Sequence, residues 1–252
     1  MPSNTIRVLA TIQDDVLYID LTNPQRHNAI DTAFTDELAT AVQHVESVRA
    51  VVLRSRGPDF CVGGDVRAFS AADEPRAYVG ALAGALHDSI RILTESSAGV
   101  VAAVRGWATG AGMSLALAAD VCLAAQTARF RAAYPAVGLS PDGGLSWTLT
   151  RALGGSAALH TILGNLVITA ADLHAMGLIA ATCPDDDLDR AVDDFVRQIM
   201  SIPAEAVAAT KQLIRGAHNR DFTVHLEHEA AAIARCAATP ASRALVDKFV
   251  AR

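Results

Sequence analysis

The amino-acid sequence predicts an α/β fold that ends in a region of helices only. Short apolar runs alternate with helical patterns over about the first 180 residues, which is typical of α/β domains. Two glycine-rich turns each follow an apolar run and lead towards a helix. From about Leu188 onwards, helical patterns follow one another without a strand. We therefore expect a core over residues 1–186 and a helical C-terminal region over residues 187–252 that mediates oligomerisation.

The N-terminal part of the chain predicts a hairpin, a helix and a buried strand. Residues 6–12 and 16–22 alternate apolar and polar side chains around a Gln-Asp-Asp turn, which predicts two antiparallel strands. Asp31 is a suitable N-cap for a helix that runs to about Glu46, because apolar side chains recur on one face of it. Residues 50–53 are apolar and are expected to form a buried strand.

The middle of the chain adds a long helix and two strands. Apolar residues recur at helical spacing over residues 76–94, which predicts an amphipathic helix. Residues 100–104 and 121–124 predict buried strands. A glycine-punctuated turn at 106–112 and a short helix at 113–118 are expected between them. The C-terminal helical patterns cover residues 187–200, 203–217, 222–237 and 239–250.

Composition and charge argue against several classes of partner. The chain has 252 residues, 51% of them hydrophobic, which is enough to bury a large core. The formal net charge is −6 and no block of basic residues occurs, so neither nucleic acid nor an anionic membrane is an expected partner. The most apolar segment, residues 99–125, is interrupted by Arg105, Asp120 and several glycines, which argues against a membrane span. A mean hydropathy of +0.27 indicates either a large interior or apolar surface that partner subunits cover.

The cysteines indicate reduced thiols. Cys61, Cys122, Cys183 and Cys236 are far apart and form no CxxC pair, which argues against a metal site and a disulfide framework. The N-terminal residues contain no apolar stretch long enough for a signal peptide. We therefore expect a cytoplasmic protein without a metal site.

The two glycine-rich turns are the first candidates for chemistry. They cover residues 61–65 and 106–112. Glycine allows a close approach of backbone to a ligand, and the first N–H groups of a helix have no intrahelical acceptor. Two such groups directed at one oxygen form an oxyanion hole, in which a single donor typically contributes about 3–4 kcal/mol to the lowering of a barrier. The alternative is that both turns only allow helices to pack closely on strands.

Five segments in order carry a resemblance to a known family. They span most of residues 20–180, and their combination is specific although each is weak alone. The chain is similar to the crotonase, or enoyl-CoA hydratase/isomerase, family. The segments are Leu21 to Pro24 with Arg26 to Ile30, Val51 to Arg56 with Phe60 to Asp65, Val100 to Asp120, Gly138 to Gly144, and Thr169 to Leu178.

This resemblance implies a fold, an assembly and an oxyanion hole. The expected fold is a spiral of ββα units with a C-terminal helical region, and the expected assembly is a homotrimer or a hexamer formed from two trimers. The family's two donor positions correspond to Gly64 and Ala111. Alanine replaces a glycine of the family motif at 111, but its backbone still offers an N–H group.

The chain departs from the hydratases of this family at both acid–base positions. These enzymes use two glutamates to add water to a 2-enoyl thioester. The corresponding residues here are Ser114 and Tyr134, which we expect to lie at the substrate pocket. Because neither side chain is an effective base at neutral pH, hydration is expected to be slow or absent.

Asp142 and His87 are the remaining candidates for a role in the reaction. Related Δ3,Δ2-enoyl-CoA isomerases have an acidic residue at the position of Asp142, where it moves a proton between C2 and C4. The alternative is an N-cap for a helix that begins at Gly143. Related aryl-CoA dehalogenases have a histidine at the position of His87, which could instead be a partly buried helix residue.

The resemblance also suggests residues for binding coenzyme A. The nucleotide pocket is expected near the N-terminal motif and the first glycine turn. Arg67 could contact a phosphate or simply be solvated, and Lys211 and Phe222 could complete the site of a neighbouring subunit. The expected CoA-binding residues are Arg26, Asn28, Val62, Asp65 and Val66.

The resemblance therefore implies an acyl-CoA enzyme that stabilises a thioester enolate. We favour isomerisation of a 3-enoyl-CoA to a 2-enoyl-CoA, with Asp142 as the catalytic residue. The alternatives are an enoyl-CoA hydratase, dehalogenase-like or thioesterase-like chemistry, or a non-catalytic acyl-CoA binder. No metal or redox cofactor is implied, because coenzyme A is part of the substrate.

Overall fold

A computed structural model describes residues 5–251 of the chain. Its larger sheet has six strands in the order β1-β2-β3-β4-β6-β9. The β1–β2 pair is antiparallel and every other pair in this sheet is parallel. The strands are β1 (Val8–Gln13), β2 (Val16–Leu21), β3 (Ala50–Ser55), β4 (Gly99–Val104), β6 (Val121–Ala125) and β9 (Ala181–Cys183).

A smaller sheet has three strands in the order β5-β7-β8. These strands are β5 (Trp107–Thr109), β7 (Arg129–Arg131) and β8 (Val167–Thr169). An isolated bridge pairs Cys61 with Ala108 of β5, so the segment after β3 also joins this sheet.

Eleven α-helices lie within the described residues. They are α1 (Thr32–Ala41), α2 (Val66–Ser70), α3 (Pro75–Glu95), α4 (Ala111–Ala118), α5 (Leu145–Leu153), α6 (Gly155–Leu163), α7 (Ala170–Ala175), α8 (Leu188–Ser201), α9 (Ala204–Gly216), α10 (Phe222–Ala237) and α11 (Pro240–Val250).

The chain repeats one supersecondary unit. β3, the bridge at Cys61 and the helices α2 and α3 form one unit, β4, β5 and α4 form the next, and β6, β7 and α5 form a third. Each unit places one strand in the large sheet, one extended segment in the small sheet, and then a helix. This repetition confirms the expected succession of ββα units.

Most elements occur where the sequence predicts them. The β1–β2 hairpin turns at Asp14 and Asp15, which both have positive φ. Asp31 caps α1 by accepting a hydrogen bond from the Phe34 N–H at 2.9 Å. However, α1 ends at Ala41 and continues as a 3-10 helix (Val42–Ser47) rather than as one α-helix to Glu46.

Four short strands escape the sequence patterns. The turn predicted at 106–112 contains β5, and β7, β8 and β9 carry no clear alternation. Each is three residues long, which is too short for a period of two to be visible. Pairing with neighbouring strands therefore defines them, rather than local sequence.

The helical region begins where expected, but the packed core extends beyond residue 186. β9 is the last strand, and α8 follows the Asp185–Asp187 turn. Along α8, Leu188, Val192, Val196 and Ile199 are buried and belong to the same cluster as the sheet residues. α8 packs against β3, β4 and β6, so it is part of the core. Among residues 5–251, no helix is both long and apolar enough to cross a membrane.

Candidate active site

Close contact between the two glycine-rich turns explains why each contains glycine. The Cys61 N–H donates to Trp107 O at 3.0 Å, and the Thr109 N–H donates to Cys61 O at 2.9 Å. A Cβ atom on Gly112 would lie 2.2 Å from the carbonyl oxygen of Cys61. Gly63 has φ +86°, and a Cβ atom there would lie 2.8 Å from Thr109 O. Larger side chains would therefore force the turns apart.

The N–H of Gly64 is free because of a neighbouring bridge. Ile30 donates to Gly63 O and accepts from the Asp65 N–H, both at 2.8 Å. A parallel bridge of this kind directs the N–H of the bridged residue, Gly64, away from Ile30. No acceptor for it occurs within the described part of the chain.

The N–H of Ala111 is free because of its place in a helix. Ala111 is the first residue of α4, and the first N–H groups of a helix lack intrahelical acceptors. A Cβ atom on Gly63 would lie 3.3 Å from the Ala111 nitrogen, so the two turns adjoin at this point. The structure thus brings the two predicted donor residues together.

Both turns open onto one cavity of about 250 Å³. Most of its lining is apolar, which weakens competition from water for polar contacts inside it. Several lining residues were not identified from the sequence, because an apolar helix face that borders a cavity has the same periodicity as one in the core. The lining includes Gly64, Ala111, Tyr134 and Asp142 together with Phe69, Tyr78, Val79, Leu82, Leu86, Val137 and Leu139.

Asp142 lies at the wall of this cavity in a turn, not at the start of a helix. Gly143 and Gly144 follow it with φ of +58° and +82°, and α5 begins only at Leu145. Gly144 is the N-cap of α5, and no side chain caps this helix. The alternative interpretation of Asp142 as a helix cap is therefore wrong. The carboxylate side chain is 26% exposed, so it is accessible from the cavity side without being fully solvated.

Tyr134 and Ser114 form a hydrogen-bonded chain that ends at Asp142. The Tyr134 hydroxyl donates to Asp142 Oδ1 at 2.6 Å. Ser114 Oγ lies 2.9 Å from Tyr134 Oη and 3.0 Å from Asp142 O. Burial and then the charge of Asp142 raise the pKa of Tyr134, so the phenol stays protonated and remains a donor. Ser114 is only 2% exposed and lies behind Tyr134, so the expectation that it borders the cavity is wrong.

His87 contacts the turn that carries Asp142. Its Nε2 accepts a hydrogen bond from the Gly143 N–H at 2.9 Å, and this nitrogen lies 3.9 Å from Asp142 Oδ2. An Nε2 that accepts must hold a lone pair, so the proton of this imidazole is on Nδ1. His87 is not among the residues that line the cavity, and it supports the turn from the α3 side.

The residues predicted to bind coenzyme A fall into two groups. Val62, Asp65 and Val66 line the cavity. Asp65 also caps α2 and pairs with Arg26, which does not line the cavity. Asn28 is fully buried and does not border the cavity.

The Asn28 side chain is committed to the loop that surrounds it. Its Oδ1 accepts from the Asn23 N–H at 2.8 Å, and its Nδ2 donates to Asp59 O and Phe60 O at 3.0 Å. The expected contact of this side chain with coenzyme A is therefore wrong, because all its polar atoms are already used.

Lys211 is buried within its own subunit. Its Nζ lies 2.8 Å from Asp120 Oδ2 and donates to Ala98 O at 2.8 Å. Burial lowers the pKa of Lys211, and Asp120 opposes this shift. The suggestion that Lys211 reaches a neighbouring subunit's site is therefore wrong. Phe222 is 74% exposed at the start of α10, and its contact with a neighbour stays a prediction, as does a phosphate contact for the exposed Arg67.

Cys61 is the first residue of the first glycine-rich turn and is fully buried, and it is not a nucleophile. Burial raises the pKa of its thiol to about 12, so the thiolate is absent at neutral pH.

Comparisons with known proteins identify the family of this chain. Residues 11–250 match the family described as enoyl-CoA hydratase/isomerase. A Mycobacterium tuberculosis protein named as a probable enoyl-CoA hydratase is 34% identical over 217 residues, which cover 82% of this chain and 81% of the relative.

Solved structures of related proteins have the same fold. An enoyl-CoA hydratase from Polaromonas sp. JS666 superposes with a TM-score of 0.91 at 31% identity, over 97% of this chain and 96% of that one. A protein from Thermobifida fusca YX, solved in complex with acetoacetyl-CoA, gives a TM-score of 0.85 at 31% identity over 93% of this chain and 96% of that one. With its ββα units, its paired glycine turns and a family match over nearly its whole length, the chain belongs to the enoyl-CoA hydratase/isomerase family.

Proposed function

We propose that this protein isomerises a 3-enoyl-CoA to a 2-enoyl-CoA. One observation carries the proposal: a carboxylate, Asp142, borders the same apolar cavity as the free N–H groups of Gly64 and Ala111. This arrangement supports a base and two hydrogen-bond donors acting on one substrate. The Thermobifida protein solved with acetoacetyl-CoA supports an acyl-CoA thioester as the ligand.

The reaction needs only a proton transfer and a stabilised enolate. The N–H groups of Gly64 and Ala111 hydrogen-bond the thioester oxygen and stabilise its negative charge in the transition state. Asp142 removes a proton from C2, and the electron pair forms the C1–C2 double bond of the enolate. The enolate then reforms the carbonyl, and the electron pair of its C1–C2 double bond forms the C2–C3 double bond. The π electrons of the C3–C4 double bond take the proton back from Asp142 at C4. No metal or redox cofactor is required.

Hydration is the second candidate, and the names of relatives favour it. The residues of this chain argue against it. Ser114 and Tyr134 stand at the positions of the family's two glutamates, and their hydroxyl groups lie 2.9 Å apart. A serine and a protonated, buried tyrosine offer no base to activate water near neutral pH.

A turnover screen with a matched pair of variants tests the proposal. Purified protein is assayed with 3-enoyl-CoA, 2-enoyl-CoA and aryl-CoA esters, as wild type, Asp142→Asn and Asp36→Asn. Asparagine can still accept the Tyr134 hydrogen bond but cannot take a proton, so we expect isomerisation to fall by roughly 10²–10⁴-fold. Binding of CoA esters should persist and the melting temperature should change little. Asp36 is exposed on α1, and its variant should match wild type.

Three results would contradict the proposal. Near wild-type isomerisation by Asp142→Asn would remove Asp142 as the base. Rapid hydration of 2-enoyl-CoA by the wild-type protein, with no isomerisation, would establish the hydratase instead. Binding without turnover of any ester would identify a non-catalytic acyl-CoA binder.

A further inference from the structure

Asp142 is held at one carboxylate oxygen by the hydroxyl group of Tyr134. Tyr134 donates to Oδ1 at 2.6 Å, which is a short hydrogen bond typical of a charged acceptor. Oδ2 receives no hydrogen bond from any residue between 5 and 251. His87 Nε2 lies 3.9 Å from it and itself accepts a hydrogen bond from the Gly143 N–H. The two oxygens of the carboxylate therefore differ in their surroundings.

We propose that Tyr134 is a positioning residue for the reaction, which fixes the orientation of Asp142 and leaves Oδ2 as the oxygen that moves the proton. This inference rests on the proposed function of Asp142 as the base. Tyr134 stands where the hydratases of this family have a glutamate. In this inference Tyr134 has a different role, because it acts through Asp142 and not on the substrate or on water.

The backbone around Asp142 explains why a positioning residue is needed. The following residues, Gly143 and Gly144, both have positive φ and contribute no side chain that could restrain the carboxylate. The backbone of the turn is fixed by the Gly143–His87 hydrogen bond, but that contact leaves the Asp142 side chain free to rotate. Only the Tyr134 hydroxyl, among the described residues, hydrogen-bonds the carboxylate.

The donor itself is fixed from behind. Tyr134 is 8% exposed and Ser114 is 2% exposed, so neither hydroxyl is readily reached by solvent. If Tyr134 gives its single proton to Asp142, its oxygen is free to accept from Ser114 Oγ at 2.9 Å. The raised pKa of Tyr134 keeps that proton in place. A misplacement of about 1 Å in a reacting group can lower a rate by roughly 10²-fold, which sets the expected effect.

The test is a double-mutant cycle between Tyr134→Phe and Asp142→Asn. Tyr134→Phe removes one hydroxyl and keeps the ring, so folding should be preserved. We expect kcat for isomerisation to fall by about 10–100-fold while KM changes less than about threefold, because the ring still fills the same space and only orientation is lost. Asp142→Asn and the double variant should have the same residual rate, since Tyr134 acts through Asp142.

A matched control and four contrary outcomes complete the design. Tyr18→Phe removes a hydroxyl from β2, where the ring packs under Arg54, and should match wild type. A wild-type kcat for Tyr134→Phe, or a further loss in the double variant relative to Asp142→Asn, would overturn the positioning role while leaving the isomerase proposal intact. A fall in kcat accompanied by a similar fold loss of substrate affinity and by a lower melting temperature would also overturn it. That pattern marks a purely structural role. Full activity of Asp142→Asn would instead refute the proposed function.

Discussion

At the scale of single residues, the site depends on which polar atoms already form hydrogen bonds or ion pairs within the protein. Asn28 and Lys211 are polar and lie in promising segments, yet their polar atoms are used within the fold. Asp142 has one engaged and one free oxygen. Gly64 and Ala111 have free N–H groups because of a bridge and a helix start. Unused hydrogen-bonding capacity therefore distinguishes the candidate functional groups from the structural ones.

His87 gives a prediction that separates support of the turn from acid–base chemistry. The Nε2 of His87 accepts a hydrogen bond from the buried Gly143 N–H. A different side chain that can accept the same hydrogen bond should therefore support the turn equally well. We expect His87→Gln to keep most isomerase activity. His87→Leu leaves that N–H unpaired, which costs about 1–3 kcal/mol and should lower both activity and melting temperature.

Steady-state rates and thermal unfolding of the two variants check this expectation. Loss of turnover in His87→Gln, with its melting temperature unchanged, would contradict the supporting role. That outcome would point to a direct part for His87 in the reaction.

At the scale of elements, the start of α4 provides half of the candidate oxyanion hole. Proline is well tolerated at the first position of a helix but has no N–H group. Ala111→Pro should therefore fold and lose activity by roughly 10²-fold or more, because one donor is removed. Ala111→Gly keeps the N–H and should remain active. Full activity of a folded Ala111→Pro protein, measured with 3-enoyl-CoA, would place the hole elsewhere.

At the same scale of elements, two ion pairs attach α9 to the core. Lys211 and Arg215 on α9 both pair with Asp120, at 2.8 and 2.6 Å. Lys211 is buried, so Asp120→Asn leaves a buried charge with less compensation and should cost about 3 kcal/mol in the free energy of unfolding.

An exposed ion pair serves as the control for this prediction. Asp189 pairs with Arg105 and is 63% exposed, so Asp189→Asn should cost less than about 1 kcal/mol. Denaturant unfolding measures both variants. Equal effects of the two substitutions would show that Asp120 contributes no more than a surface charge.

At the scale of the whole molecule, the last two helices present apolar side chains to solvent. Phe222, Ile233, Phe249 and Val250 are all more than 70% exposed. Large exposed apolar side chains on successive helices are typical of surfaces that subunits bury. This exposure predicts burial between subunits, and the resemblance to the family implies that the assembly is a homotrimer or a hexamer of two trimers.

Sedimentation at micromolar concentration tests the assembly. The double variant Ile233→Ser with Phe249→Ser should shift the protein towards smaller species. Ile12→Ser removes a side chain that is 49% exposed on β1, outside the helical region, and should leave the assembly intact. A wild-type protein that sediments as a monomer would refute the expectation.

The sequence by itself determined the family, the long elements and the place of the two glycine turns. Periodicity defines elements such as α3, because many residues contribute to the pattern. Motifs in a fixed order identify a family because each local backbone requirement, such as glycine at 63 and 112, restricts the residue type directly.

Only the tertiary structure decided which groups meet and which are already satisfied. β7, β8 and β9 exist because of pairing partners distant in sequence. The contact between Tyr134 and Asp142 and the burial of Lys211 by Asp120 likewise join separate segments. A sequence specifies which residues can donate or accept a hydrogen bond. Whether that capacity is left for a substrate depends on neighbours that only folding brings together, because each proton and lone pair can be used once.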